Sequence, residues 1–201
     1  VAMALGFANK PWMMLIFVAV YIGLAALVII VWLAFPSATL IAFLGISLIH
    51  FGLGDMIRGL GVEPLIQTIA HGGMVIGGIS LFHKADVDII YSYLTGGDTA
   101  IIWMFVEQSS YVIGLALFIY IIMAIARPAL RPRLLEVVCL GFIFYMLPPL
   151  AGFAFYFCLV HTPRHLFRVW RQLDQQNFSH RSMMMMAIAF TFASWLAGAV
   201  A

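Results

Sequence analysis

The sequence predicts an all-α fold, a polytopic transmembrane helical bundle of about seven spans, read as a single integral membrane domain over residues 1–201. Three observations predict it. The chain is 65% hydrophobic and only 9% charged, with a mean hydropathy of +1.09, a balance that a soluble domain of this size does not have. A spanning helix needs roughly 20 predominantly apolar residues, and several such runs follow one another. Finally, the runs are separated by proline and short polar clusters, and the basic residues fall almost entirely into alternate separators.

The first span is expected at about 11–35 and ends at Pro36-Ser37. The second, about 37–58, is closed by the Gly59 to Pro64 break, and the third runs over about 64–83. The polar stretch His83 to Asp98 reads as a connection before a fourth span at about 99–125. Arg127 to Arg133 separates this from a fifth at about 133–147, and Pro148-Pro149 opens a sixth at about 149–170. Arg171 to Ser182 then precedes a seventh at about 183–200. Proline suits the first turn of each new span, because the N–H it lacks would be unpaired there anyway. The run Met183 to Met186 reads as adaptable packing, methionine being flexible and polarisable.

Charge sets the expected orientation. One side receives Lys10, Arg58, Arg127, Arg131, Arg133, Arg164, Arg168, Arg171 and Arg181, and the other only Lys84. Cytoplasmic loops carry the excess of Lys and Arg, so the basic loops are expected in the cytoplasm and the protein in the inner (plasma) membrane. The net charge of +2 gives no support for a nucleic-acid partner. Cys139 and Cys158 lie in apolar runs and read as small buried hydrophobes, not as a disulfide framework. The first apolar stretches read as spans and not as a cleavable leader.

Four of the six histidines, His50, His71, His161 and His165, fall within spans, where ionisable groups are rare and usually functional. His83 and His180 fall in polar connections and read as surface residues. At a rise of about 1.5 Å per residue, His50 and His161 both lie roughly 18–20 Å from the outer surface. His165 is one turn deeper, and His71 reaches a similar level from the other side. His161 and His165 share a helical face, and an i,i+4 imidazole pair can fill two positions of one metal. Pro163 frees the carbonyl of Leu159 and is expected to kink the helix. Arg164 is expected to point elsewhere, toward the cytoplasmic headgroups. Imidazole suits Fe, Zn and Cu, so spacing does not choose the metal. A ligating histidine usually passes its second N–H to an acceptor, and Asp55, Glu107 and Glu136 are the acidic candidates.

Three stretches carry a resemblance. "HFGLGD" (His50 to Asp55), "HGGMVIGGISLFH" (His71 to His83) followed by "YLTGG", and "LPPLAGFAFYFCLVHTPRHL" (Leu147 to Leu166) resemble the Brp/Blh family of membrane-embedded β-carotene 15,15′-dioxygenases. The resemblance implies that His50, His161 and His165 are iron-ligand positions and that the cofactor is Fe(2+). It also implies that β-carotene and O2 are the substrates, that retinal is the product, and that a microbial rhodopsin is a partner as retinal acceptor. The family pattern has one more ligand histidine, in an upstream H-G-x-x-D motif, and no histidine precedes His50 here. The expectation is a chain lacking that N-terminal helix relative to the family, with His71 as reserve fourth ligand or as a group behind the ligands. Phe153, Phe155, Tyr156, Phe157 and Met183 are the expected pocket walls, reached laterally at mid-depth by a substrate that dissolves in the bilayer. The competing reading is a haem-binding membrane electron-transfer protein, with His50 and His161 as the axial pair.

Overall fold

The computed structural model describes residues 11–57, 59, 61–174 and 185. The expected span at 183–200, Met183 among the pocket walls, and Lys10, Arg58, His180 and Arg181 lie outside the described residues. Within them the chain is helical: α1 (Pro11–Ala34), α2 (Pro36–Asp55), α3 (Glu63–Phe82), α4 (Lys84–Thr95), α5 (Ala100–Ala126), α6 (Arg131–Met146) and α7 (149–174). A π turn interrupts α3 at Met74–Gly78, and another interrupts α7 at Phe157–His161. Pro36, Pro64, Pro132 and Pro149 all stand in first turns, as the missing N–H requires.

Among the described residues, four helices are long and apolar enough to cross a membrane: α1 over Leu15–Ala34, α2, α3 and α5. The 16 residues of α6 rise only about 24 Å, and the second half of α7 carries Arg164, Arg168 and Arg171. Large apolar side chains are widely exposed, as on Leu15, Leu33, Tyr111 and Leu150. That pattern belongs to helices whose outer surface meets lipid.

One expectation is corrected by α4. The stretch after His83, read as a connection, is a helix. Its buried positions fall at i, i+4, i+8, namely Val87, Tyr91 and Thr95, one stripe laid against the bundle. It ends at Gly96, whose φ of 78° is left-handed, and the Gly97 N–H returns to the Ser92 carbonyl at 2.9 Å, a glycine-terminated cap. Asp88 ties α4 to the start of α5, accepting hydrogen bonds at one oxygen from Trp103 Nε1 (2.6 Å) and Thr99 Oγ1 (2.7 Å). Those bonds, Trp103's first, hold the Asp88 carboxyl below its ordinary value, so the tie is complete at neutral pH and weakens only in acid.

The bundle is organised about α3. Its apolar window is 56% buried, whereas none of the α1 window is. The reason lies in its glycines. A methyl group on Gly52 would collide with the backbone of Thr68, 2.7 Å from its carbonyl carbon, and one on Gly72 would stand 2.7 Å from the carbonyl carbon of Leu48. The backbones of α2 and α3 therefore touch through positions that only glycine can occupy, the small-residue contact that membrane helices use in place of a hydrophobic drive. Gly73 and Gly77 admit the side chain of Ile113 from α5 on the other flank. Below the crossing, the buried Gln67 amide satisfies both backbone groups of Ile57, accepting from its N–H at 2.8 Å and donating to its C=O at 3.2 Å.

Three apolar clusters fill the remainder. Leu40 and Leu44 meet Val87, Tyr91, Ile102 and Trp103; Phe51 meets Val75, Leu140, Phe144 and Tyr156; and Ala70 meets Tyr120, Ala124 and Val137. Two further corrections concern single residues. His83 is not a plain surface residue: it is half-buried, and its Nε2 donates to the Phe144 carbonyl at 2.7 Å, pinning the α3–α4 corner to α6. Cys139 and Cys158 are exposed, not buried; apolar character in such a chain serves the lipid face as well as the core.

The charge split is also spatial. Lys84 pairs with Glu107 at one end. Arg127 pairs with Glu63, and Arg164 with Asp55 and Glu136, at the other, where α2 and α5 finish and α3 and α6 begin.

The Gly52–Gly72 crossing generates a test. Gly52→Ala and Gly72→Ala each force backbone against backbone and should cost about 3 kcal/mol, lowering the melting temperature of the detergent-purified protein. Gly45→Ala, whose added methyl meets only Phe105 at 4.0 Å, should melt like the parent. Unchanged melting in the first two would remove the crossing as the organising contact.

Candidate metal centre

His50 lies on α2 five residues before its end at Asp55, about 8 Å from the basic end of the bundle at 1.5 Å per residue. The site is therefore nearer that end than the expected mid-depth. Its partners come from α7. The aromatic run before the π turn packs inward: Tyr156 is fully buried and Phe153 is 5.9 Å from the Phe51 ring. Just upstream of Pro163 the helix widens, and the Thr162 N–H reaches back five residues to the Phe157 carbonyl. Widened turns of this kind relieve a helix that a proline has deprived of a donor.

These two segments place the His161 imidazole between two others. The rings of His50 and His161 are 5.4 Å apart between centroids, and those of His161 and His165 are 6.3 Å apart and nearly parallel at 17°. His161 is buried, whereas His50 and His165 are exposed, so the cluster is closed toward the core and open outward. Phe51 meets His161 edge-on at 4.9 Å, and Phe157 stacks on it at 5.7 Å. Gly54 provides the space: a methyl there would lie 3.7 Å from Cε1 of His161 and 3.5 Å from the Arg168 guanidinium. The buried Nδ1 of His161 has no hydrogen-bond partner. An orphaned imidazole nitrogen beside two further imidazoles is the donor set of an ion that neutral histidines bind, iron among them.

Immediately behind the histidines is a polar network built on Asp55 and Glu136, two of the expected acidic groups, and on Arg164, which the sequence reading missed. Arg164 does not point to the headgroups. It stands three residues after His161, which puts it on the same broad helical face, and its Nη1 donates to Asp55 Oδ1 at 2.9 Å and to Glu136 Oε1 at 2.5 Å. Its Nη2 donates to Glu136 Oε2 at 2.6 Å, a forked pair. Arg133 adds a bond to Glu136 at 2.9 Å, and the Tyr156 hydroxyl donates to Asp55 Oδ2 at 2.7 Å. The i,i+3 spacing of His161 and Arg164 was the available signal. Removing one partner of such a buried pair costs about 3–5 kcal/mol, against about 0–1 kcal/mol for an exposed pair such as Lys84–Glu107.

The other expected site residues sort as follows. Asp55 is 2% exposed, and it touches the histidine cluster through Tyr156 and Arg164. Glu107 pairs with Lys84 at 2.7 Å and stands apart from this network. Tyr156 belongs to the core, with its hydroxyl committed to Asp55, so it is not a wall of an open pocket. Phe153 and Phe155 are half-buried and Phe157 is exposed; Phe153 stacks on Phe157 and Phe157 on His161, which makes these two the apolar flank, Phe155 standing on another face of the helix. His71 does not join the other three histidines. It is 2% exposed, with both ring nitrogens unpartnered, and a ligand atom of His71 lies within 4.8 Å of carboxylate oxygens of Asp55 and Glu136. That trio also has the donor types of a metal site. Two carboxylates facing two guanidinium groups are already neutralised, however, and a divalent ion there would have to displace Arg164.

The histidine cluster can be set beside known proteins. A family model described as Beta-carotene 15,15'-dioxygenase matches residues 1–201. A curated protein named Beta-carotene 15,15'-dioxygenase, from Uncultured marine bacterium 66A03, is 35% identical over 186 residues, 89% of this chain and 64% of its own length. The chain thus spans just under two thirds of that relative. No solved structure matches. With the family match running from the first residue to the last, this chain belongs to the β-carotene 15,15′-dioxygenase family.

Proposed function

We propose that this chain carries the catalytic centre of a carotenoid-cleaving dioxygenase, which splits the central double bond of β-carotene with O2 to give two molecules of retinal. The observation that carries the reading is the placing of His161, with its buried Nδ1 unpartnered, between His50 and His165, in a member of this family. His50, His161 and His165 would hold Fe(2+). Bound there, ferrous iron would supply the redox chemistry by which O2 reacts with the double bond. A third imidazole, His165, beside His161 suits an ion held by protein ligands better than a haem held by an axial pair.

The chain's own residues do the rest by position. Phe153 and Phe157 offer an apolar flank beside His161 for a rigid hydrocarbon. The open side of the cluster, at His50 and His165, receives it from the bilayer, so substrate need not cross water. Phe51 and Tyr156 close the inner side and keep His161 from solvent. Selection among double bonds is a matter of travel: a misplacement of about 1 Å costs on the order of 100-fold in rate. The protein would reside in the inner membrane with about seven spans and its basic loops in the cytoplasm, and would deliver retinal to a microbial rhodopsin.

In the natural gene product that contains this chain, His50→Ala, His161→Ala and His165→Ala should each abolish both iron binding and retinal formation while membrane insertion persists. His71→Ala should retain iron. Full iron content in the His161→Ala, His165→Ala double variant would refute the assignment. β-Carotene given to the iron-loaded enzyme should yield retinal, detected by chromatography, and none without O2; a broad mixture of longer and shorter apocarotenals would exclude central cleavage. For the topology, reporter fusions after Lys84 and after Arg131 should mark opposite sides of the membrane, and the same side for both would end the seven-span arrangement.

A further inference from the structure

The bracketing of Asp55 by α7 goes beyond the ligand assignment, although it rests on that reading. Asp55 is on α2, five residues after His50. It is held from one side of His161 by Tyr156, five residues before it, and from the other by Arg164, three residues after it. Arg164 also forks onto Glu136 of α6. His50 and the His161–His165 pair belong to two separate helices, so their mutual position is only as fixed as the joint between α2 and α7. No other ion pair joins those two helices among the described residues. Gly54 keeps the intervening space free of side chain, which leaves the joint to this charge network and to the packing of Phe51.

We propose that Arg164 is a positioning residue for the histidine cluster: bridging Asp55 on α2 and Glu136 on α6, it locks α7 at the rotation and height that bring His161 and His165 to His50. It touches no substrate and holds no metal. Its contribution is to the preorganisation of groups that do, the kind of support whose loss typically weakens metal binding about 10- to 100-fold.

The test measures cobalt(II) affinity by optical titration, and melting temperature, in the full-length protein in lipid nanodiscs. Arg164→Met should bind cobalt(II) about 10- to 100-fold more weakly. Arg164→Lys, able to reach one carboxylate but not to fork, should recover part of the loss. The quadruple variant Asp55→Asn, Glu136→Gln, Arg133→Met, Arg164→Met removes both members of every ion pair in the network; it should fold and still bind weakly. Arg127→Gln, which breaks an ion pair remote from the cluster, should bind as the parent does. Parental affinity in a folded quadruple variant would overturn the proposal. So would tighter binding in Arg164→Met, the result expected if Asp55, His71 and Glu136 held the ion and Arg164 competed with it. Failure of all three Arg164 variants to fold would assign the residue to the fold and likewise overturn it. No cobalt(II) bound by the parent would instead overturn the functional reading itself.

Discussion

The contact on which this bundle depends is the approach of two backbones where α2 crosses α3. Inside a membrane, apolar side chains gain little by turning from lipid to protein, so helices associate where they can come close and pack without gaps. Gly52 against Thr68 and Gly72 against Leu48 give that closeness. Much of the site follows from it. His50 and Asp55 flank Gly52 on α2, while His71 precedes Gly72 on α3. A wider separation of these helices would take Asp55 from its place beside His71 and Glu136, and the anchor for α7 would move with it.

Onto this crossing the chain adds an unusual amount of buried charge. Asp55, Glu136, Arg133 and Arg164 form a group with two negative and two positive members. The balance matters because an isolated charge in such surroundings is far costlier than a lost hydrogen bond. It also separates two neighbouring sets of donor groups. Unpartnered imidazole nitrogens occur in both, two on His71 and one on His161. The difference is that the carboxylates beside His71 have cations already, whereas the neighbours of His161 are two further imidazoles.

Much of this was legible in the sequence. Proline marked the starts of α2, α3, α6 and α7 because its chemistry fits a first turn, and the i,i+4 spacing of His161 and His165 carried into space unchanged. Depth along a helix was also readable, and it grouped His50 with His161 correctly. It could not separate His71 from them, because axial position says nothing of which neighbour a side chain faces. Arg164 was misread when its charge was given more weight than its spacing from His161. The helix α4 was hidden by the charges at its start, Lys84, Asp86 and Asp88, and by Gly96-Gly97 after it; the stripe Val87, Tyr91, Thr95 betrays it. The two cysteines show a further limit. In a chain where lipid and core are both apolar, hydrophobicity does not distinguish outward from inward.

The π turn at Phe157–His161 has a consequence for how this helix tolerates changes in length. A widened turn holds one residue more than the α-helix around it needs, and each residue of an α-helix turns the chain by about 100°. Deleting any one residue of that turn would restore an ordinary helix without breaking it. The wider turn already absorbs the rotation of its extra residue, so losing one of residues 157–160 would leave Arg164 and His165 facing α2 much as before. A deletion in the regular helix on either side of the turn has no such slack: it would swing everything beyond it by about 100°. The turn is therefore the one place between the double proline and the second histidine where α7 can shorten by a residue without re-aiming its end.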